Sequence, residues 1–272
     1  MYSISIIGSG NIAHQFSLAL CKGGHKIDYI YNRTQEKGEK LIKFLGYNSF
    51  SAQYTSNIED CFNSEILIIA ISDNSIESMI EKISLSFKES PRTQFPLILH
   101  TSGASPLSIF SALNHYTTEY GVLYPLMTIS KLRNIDFKDV PFLLEANSEK
   151  GKKTLIQIAE SLHSEYNICD SQTRLANHAA AVFSCNFVNY ILGLSFDIAK
   201  NNHTYLLPTT LEMVRKCFLY TPEQTLTGPA LREDYSTINK HLELLEKMGL
   251  NEHKEIYEII TNNIIKHKKE KN

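Results

Sequence analysis

Residues 4–13 read Ile-Ser-Ile-Ile-Gly-Ser-Gly-Asn-Ile-Ala, an apolar run that leads directly into two closely spaced glycines. The spacing Gly-x-Gly-x-x-Ala is typical of a turn that joins a strand to a helix beneath a dinucleotide. Gly8 permits the tight turn, and Gly10 lets the backbone approach a pyrophosphate because it has no Cβ. Ala13 is small enough for the helix to pack close to the strand. The start of that helix then directs free N–H groups and a positive dipole end at the phosphates.

The sequence on either side of the glycines supports a β-α-β unit. A strand beginning at Tyr2 or Ser3 precedes them, and the following helix repeats apolar residues at i, i+4, i+7 and i+8 from Ile12. Gly23-Gly24 ends that helix, and a second strand covers residues 26–31. We therefore predict that the turn holds a nucleotide cofactor, the alternative being a glycine turn without a ligand. The predicted cofactor contacts in this unit are Gly8, Ser9, Gly10, Asn11 and Ile12.

The residues that follow the second strand indicate which dinucleotide binds. An NAD enzyme usually has Asp or Glu at this place, where the carboxylate holds the ribose hydroxyls. This chain has Asn32, Arg33 and Thr34 instead. A guanidinium and a hydroxyl suit a 2′-phosphate, and no carboxylate repels it, so the sequence predicts NADP. The alternative for Arg33 is an ordinary solvated arginine.

Composition excludes several classes of protein. The chain has 272 residues, 43% of them hydrophobic, with a net charge of −2, so we expect no nucleic-acid or anionic-membrane partner. We expect no apolar stretch to approach the roughly 18 residues that span a bilayer, and no signal peptide. The five cysteines form no Cys-x-x-Cys pair, which predicts reduced thiols in the cytoplasm. No two histidines have metal-ligand spacing, so no metal is predicted.

The pattern of the chain changes after about residue 170. The first part alternates strands and helices, whereas long helical patterns fill the second part. We predict an α/β fold, with a doubly wound Rossmann domain over residues 1–170 and an all-helical domain over residues 171–272. Residues 174–200 are apolar on nearly all sides, so we expect a buried central helix. The predicted strands cover residues 3–7, 26–31, 65–71, 96–99, 121–124, 141–144 and 165–169.

The order of seven short motifs resembles the Rossmann-like NADP oxidoreductases that carry a C-terminal domain of unknown function. The resemblance covers nearly the whole chain and implies an NADP-dependent reductase or dehydrogenase without fixing its substrate. The motifs are Gly-Ser-Gly-Asn-Ile-Ala (8–13), Asn-Arg-Thr (32–34), Ala-Ile-Ser-Asp (70–73), His-Thr-Ser-Gly (100–103), Tyr-Pro-Leu-Met-Thr (124–128), Asn-His-Ala-Ala-Ala-Val-Phe-Ser-Cys-Asn-Phe (177–187) and Thr-Gly-Pro-Ala-Leu-Arg-Glu-Asp (227–234).

More distantly, the chain is similar to pyrroline-5-carboxylate reductase and to the β-hydroxyacid dehydrogenases. These families combine a Rossmann domain with a helical domain that often forms dimers, so the resemblance implies a homodimer through the helical domain. The β-hydroxyacid dehydrogenases place a catalytic lysine on the long central helix. This chain has no lysine there before Lys200, so the lysine mechanism does not carry over.

Ligands of open α/β sheets bind beyond the carboxyl ends of the strands. The segments 72–73, 100–103 and 124–125 follow three predicted strands and therefore share one rim. We expect the nicotinamide to pack on Ala70 and Ile71, and Thr101, Ser102 and Gly103 to lie on the substrate side. Ser72 and Asp73 suit cofactor contact, helix capping, or both. The further predicted cofactor contacts are Ala70, Ile71, Ser72, Asp73, Thr101 and Ser102.

His178 is the leading candidate for a catalytic acid or base. A carbonyl or imine that receives hydride needs a nearby proton donor, and histidine titrates near neutral pH. Along a regular helix Asn186 lies about 12 Å from His178, so the two bracket a small substrate only through their side chains. The alternative for His178 is a buried histidine bonded to a backbone carbonyl.

Arg232 is the candidate anchor for an anionic substrate group, because guanidinium binds carboxylate or phosphate through two parallel hydrogen bonds. The alternative is an interdomain salt bridge, with Asp234 capping the next helix. The residues together predict hydride transfer between NADPH and a small, anionic carbonyl or imine. Two other hypotheses stay open: a non-catalytic NADP-binding redox sensor or assembly subunit, and a reductase linked to a deazaflavin.

Overall fold

The computed structural model describes residues 1–89, 93–116 and 119–271. The chain divides into two compact units, residues 1–186 and residues 187–272. The domain boundary expected after residue 170 stays a prediction.

The first unit is built on a single sheet. Strands β1 to β8 cover Ser3–Ile7, Lys26–Tyr31, Gln53–Thr55, Ile66–Ile69, Leu97–His100, Tyr120–Pro125, Phe142–Ala146 and Tyr166–Ile168. Their order in the sheet is β3-β2-β1-β4-β5-β6-β7-β8. The pair β6 and β7 is antiparallel, and the other neighbouring pairs are parallel. This arrangement confirms the predicted α/β class, although β3 was not predicted.

Helices cover both faces of the sheet and make up the second unit. In the first unit, α1 to α5 cover Asn11–Lys22, Gln35–Tyr47, Ile76–Glu89, Glu149–Ser161 and Ser171–Ala181. A π-helix, Val182–Phe187, continues α5. In the second unit, α6 to α11 cover Val188–Ala199, Leu207–Leu219, Pro222–Thr225, Pro229–Arg232, Tyr235–Lys247 and Asn251–Lys271.

Strand β4 shows how the two faces of the sheet are filled. Its four residues are all buried, as its continuous apolar sequence predicts for a parallel strand covered on both sides. Ile66 and Ile68 belong to the same core as Phe16 of α1, whereas Leu67 and Ile69 belong to the core that contains Ile80 of α3. Successive side chains of a strand point to opposite faces, so this alternation keeps both layers of helices attached to one strand.

The glycine turn packs against the end of β4. Gly8 has a φ of +116°, and a Cβ added there would lie 2.3 Å from the carbonyl oxygen of Ala70. The backbone N–H of Gly8 donates to Tyr31 O at 2.8 Å, and the N–H of Ala70 donates to Ile7 O at 2.8 Å. The carboxyl ends of β2, β1 and β4 therefore meet at this turn.

The long apolar helical segment differs from the expectation of a buried central helix. Arg174 is the buried residue within α5, and the described residues of the π-helix and α6 are exposed or half-buried in the single chain. The helical run Ser171–Leu219 also contains an 18-residue window that is apolar enough to cross a membrane by length and composition. The expectation that no stretch approaches this length was therefore wrong. Core helices of globular proteins pass the same test, so the window is weak evidence for a membrane span.

Replacing Gly8 by alanine tests the close approach at the turn. The added methyl group meets the Ala70 carbonyl, and the positive φ disfavours any residue with a Cβ. We expect Gly8→Ala to lower the free energy of unfolding by about 3 kcal/mol. Gly10→Ala is the matched control, since among the described residues nothing beyond Gly10 and its two chain neighbours lies within 4 Å of the added Cβ. Denaturant unfolding of both variants measures the difference, and equal stabilities would contradict the close packing of Gly8 on Ala70.

Candidate functional site

A cavity of about 1100 Å³ opens at the carboxyl ends of β1, β2 and β4. The glycine turn forms its floor, and the start of α1 faces it, which suits an anionic group because the first N–H groups of a helix have no partner within that helix. The described lining residues are Ile7, Gly8, Ser9, Gly10, Asn11, Ile12, His14, Tyr31, Asn32, Arg33, Lys37, Lys40, Leu41, Ala70, Ile71, Ser72, Ser75, Ser78, Met79, Lys82, Ile129 and Lys131.

Asn32 links the glycine turn to the segment after β2. Its Oδ1 accepts a hydrogen bond from Ser9 Oγ at 3.2 Å, and its Nδ2 donates to the carbonyl oxygen of Thr34 at 2.8 Å. The hydroxyl of Tyr54 donates to the Asn32 carbonyl at 3.2 Å. An asparagine at this place therefore fixes the loop that carries Arg33 beside the cavity.

The wall after β2 is basic. Arg33, Lys37 and Lys40 line the cavity, and all three are exposed. No carboxylate belongs to the described lining residues. The sequence analysis did not identify Lys37, which lies in the first turn of α2, just after the loop that carries Arg33. This wall fits the 2′-phosphate of NADP, and the cradle at Gly8 and Gly10 fits its diphosphate.

Four of the predicted cofactor residues lie outside the described cavity lining: Thr34, Asp73, Thr101 and Ser102. Thr34 precedes α2 at the capping position without a side-chain capping bond. Thr101 is buried and donates from Oγ1 to the Ile69 carbonyl at 3.5 Å. Ser102 Oγ accepts the backbone N–H groups of residues 104 and 105. The last two hydroxyls therefore hold the loop after β5 in place.

A second polar cluster lies at the loop after β5 and the end of β6. The hydroxyl of Tyr124 lies 2.9 Å from His178 Nδ1, and the two rings meet edge to face. The loop backbone approaches both rings closely at Gly103. A Cβ added there would lie 2.7 Å from Tyr124 Cζ and 2.8 Å from His178 Cγ, so a larger residue would collide with the pair. Burial, and then the nearby Asp73 and Cys185, raise the pKa of Tyr124. The phenol therefore keeps its proton at neutral pH.

A buried arginine fixes the helix that carries His178. The Arg174 side chain is fully buried, pairs with Glu145 of β7, and donates to the Ser105 carbonyl at 2.6 Å. Ser171 Oγ donates to Glu145 Oε2 at 2.8 Å and accepts the N–H of Leu107 at 2.9 Å. The first turn of α5 is thus tied to β7 and to the loop after β5.

A buried histidine, His100, ends β5 directly before this loop. Burial, and then the charge of Arg174, lower the pKa of His100 to about 3, so that this imidazole is neutral at physiological pH. Its Nδ1 accepts the backbone N–H of Ser102 at 3.1 Å. His100 therefore shapes the loop, whereas His178 lies one helical turn after Arg174 and contacts Tyr124.

The other two catalytic candidates, Asn186 and Arg232, are both exposed in the single chain. Asn186 is exposed and lies in the π-helix. The wider π-helical turn changes the angular spacing from His178 that a regular α-helix predicts. Arg232 is exposed on α9 of the second unit. Asp234 caps α10 as expected, accepting the N–H of Thr237 at 3.1 Å.

Comparisons with known proteins agree with a cavity that fits NADP. Residues 3–91 match the family described as NADP oxidoreductase, coenzyme F420-dependent, and residues 140–264 match a domain of unknown function, DUF2520. A solved structure of a "putative NADP oxidoreductase" from Bacteroides fragilis is 30% identical, with a TM-score of 0.84 over 97% of this chain and 98% of its own. The chain belongs to this NADP oxidoreductase family. No curated protein matches the sequence.

Two more distant structures share the fold of this NADP oxidoreductase. An imine reductase from Streptomyces aurantiacus is 13% identical, with a TM-score of 0.64 over 96% of this chain and 93% of its own. A pyrroline carboxylate reductase from Plasmodium falciparum, with NADP bound, is 11% identical, with a TM-score of 0.59 over 97% and 100%. The predicted family, the NADP cofactor and the oxidoreductase class are confirmed.

The choice of cofactor is tested at the basic wall. Arg33→Gln removes a guanidinium that suits the 2′-phosphate, so we expect the Kd for NADPH to rise about tenfold or more. The Kd for NADH, which lacks that phosphate, stays unchanged. Lys43→Gln removes a positive charge from an exposed position of α2 outside the cavity lining and serves as the control. Thermal unfolding with each nucleotide reports the affinities, and an equal loss for NADPH and NADH would contradict the assignment.

Proposed function

We propose that this enzyme reduces a small, anionic carbonyl or imine compound with NADPH, and that His178 acts in proton transfer together with Tyr124. The observation that carries the proposal is the 2.9 Å contact between Tyr124 Oη and His178 Nδ1 at the carboxyl edge of the sheet. Strands β4, β5 and β6 are adjacent, so this pair lies on the same edge as Ala70 and Ile71 of the cofactor cavity.

The pair suits the proton transfer that a reduction requires. NADPH, when bound, supplies the hydride that adds to the carbon of a C=O or C=N bond. The oxygen or nitrogen of that bond then takes a proton from the His178 side chain. The Tyr124 hydroxyl orients the imidazole ring of His178 for this transfer. Gly103 leaves room for the two rings to meet, and the Arg174 network fixes the helix that carries the histidine. The predicted cofactor contacts, including Thr34, Asp73, Thr101 and Ser102, remain part of this proposal.

The neighbours favour an imine as one substrate class. One of them is an imine reductase, and another is a pyrroline carboxylate reductase, named for a cyclic imine that carries a carboxylate. We propose that Arg232 binds the anionic group of the substrate and that Asn186 contacts the substrate, in keeping with a helical substrate domain over residues 171–272. A cytoplasmic location, consistent with five free cysteines, belongs to the same proposal.

The hydride acceptor has a second candidate. The matching family is described as coenzyme F420-dependent, so a deazaflavin is the alternative partner of NADPH. A non-catalytic NADP-binding redox sensor or assembly subunit is the remaining alternative.

Substitution of the polar pair tests the proposed reduction. With a panel of keto acids and cyclic imino acids, we expect His178→Ala to lower kcat about 100-fold or more while the Kd for NADPH stays constant. Tyr124→Phe, which removes the hydroxyl alone, lowers kcat in the same direction. Asn177→Ala is the control, because its amide donates to the Thr173 carbonyl of its own helix at 2.9 Å.

Two outcomes separate the alternatives. If NADPH binds tightly but no acceptor on the panel oxidises it, a deazaflavin is added. Oxidation with the deazaflavin alone supports the linked reductase, and no oxidation at all supports the sensor. Unchanged kcat in His178→Ala would remove this residue from the mechanism.

We also propose that the helical domain forms a homodimer. Large apolar side chains of α6 and α7 are exposed in the single chain, among them Tyr190, Ile191, Phe196 and Phe218. An exposed apolar surface of this kind is typical of a protein interface. We expect sedimentation to give twice the 30.9 kDa of one chain, and Ile191→Asp to shift the mass to the monomer. A monomeric wild-type protein, or one soluble only with detergent, would overturn the proposal.

A further inference from the structure

The segment that joins β6 to β7 contacts the glycine turn. Lys131, near its middle, lines the cavity, and its Nζ donates to the carbonyl oxygen of Ser9 at 3.0 Å. Ser9 lies between the two glycines of the turn. This contact brings an ammonium group to the part of the cavity that fits the diphosphate of NADP.

A buried amide holds this segment against α1. Gln15 is only 2% exposed, although glutamine is usually a surface residue. Its Nε2 donates to the carbonyl oxygens of Ser130 and Arg133 at 2.9 and 3.0 Å. Its Oε1 accepts the backbone N–H of Ile135 at 3.4 Å. One side chain thus satisfies three backbone groups across more than a hundred residues of sequence.

The segment is also anchored at its end. Phe137 is buried, stacks on Phe16 of α1 with ring centroids 5.5 Å apart, and belongs with Val140 to the core beneath the sheet. Gln15 and Phe16 are neighbours on the helix whose first turn faces the cavity. The position of Lys131 is therefore fixed relative to the glycine turn by the helix that the turn begins.

The charge of Lys131 acts on the cavity wall. Burial, and then the nearby Lys131, lower the pKa of His14, which also lines the cavity. Both effects keep the imidazole neutral. The ammonium has three N–H donors, and within the described part of the chain the contact to Ser9 uses one of them. Two donors are left for an anionic oxygen.

We propose that Lys131 binds the diphosphate of NADP and that Gln15 positions it by holding residues 130–135 against α1. The helix N-terminus and the glycine turn supply backbone N–H groups to the phosphates, and Lys131 adds a full positive charge. This assignment concerns cofactor binding and is independent of the hydride acceptor.

Two ligands distinguish this role from that of the basic wall. NADPH contains both a diphosphate and a 2′-phosphate, whereas adenosine 2′-phosphate contains no diphosphate. We expect Lys131→Met to raise the Kd for NADPH about tenfold and to leave the Kd for adenosine 2′-phosphate unchanged. Arg33→Gln raises both. Isothermal titration calorimetry on the full chain measures these constants without any substrate.

Lys138→Met is the matched control, because Lys138 lies in the same segment, pairs with Asp136 at 3.0 Å, and is outside the cavity lining. It removes the same charge from the chain, and we expect no change in either Kd. Lys131→Arg keeps the charge and retains affinity for NADPH within a few-fold.

The positioning role of Gln15 is tested by combination. We expect Gln15→Leu to raise the Kd for NADPH, and the double variant with Lys131→Met to bind no more weakly than Lys131→Met alone. Binding of adenosine 2′-phosphate shows that each variant is folded. An unchanged Kd for NADPH in Lys131→Met, or an equal loss for both ligands, would overturn the assignment of Lys131. Additive losses in the double variant would overturn the assignment of Gln15.

Discussion

The close approach of the glycine turn to the end of β4 is the constraint on which the rest of the site depends. Gly8 lies so near the Ala70 carbonyl that a Cβ would overlap it, and the turn is bonded to β2 on the other side. Three strand ends are therefore held at one point, and the cavity opens directly above them. The same geometry aims the first turn of α1 at the cavity, so that packing in the sheet and anion binding by the helix share one cause.

Two polar networks extend this arrangement to the loops. Gln15 holds the segment that carries Lys131, and Arg174 holds the loop after β5 and the helix that carries His178. Each uses a buried side chain whose partners lie far away in sequence: the Ser130 and Arg133 carbonyls for Gln15, and Glu145 and the Ser105 carbonyl for Arg174. Burying an amide or a guanidinium is costly unless its partners are in place, so each network favours one loop arrangement over others.

The sequence predicted the architecture well where local patterns are strong. The apolar run of β4 predicted the parallel sheet, and the glycine turn and Arg33 both line the cavity at its carboxyl edge. The edge strand β3 was missed because three residues carry too little periodicity. The long apolar helix was assigned to a buried core, whereas its faces are exposed in the single chain, because apolar character predicts burial without stating whether the covering surface belongs to the same chain.

The sequence by itself determined the fold class, the family and the cofactor, because these depend on residues close together in the chain. Only the tertiary structure brought Tyr124 to His178, and Gln15 to residues 130–135. It also bonded Thr101 to the Ile69 carbonyl of β4 and Ser102 to its own loop, both outside the described cavity lining. The physical reason is that a hydrogen bond between residues 54 or 115 positions apart is set by how strands and helices pack, and such packing leaves no periodic signal in the sequence.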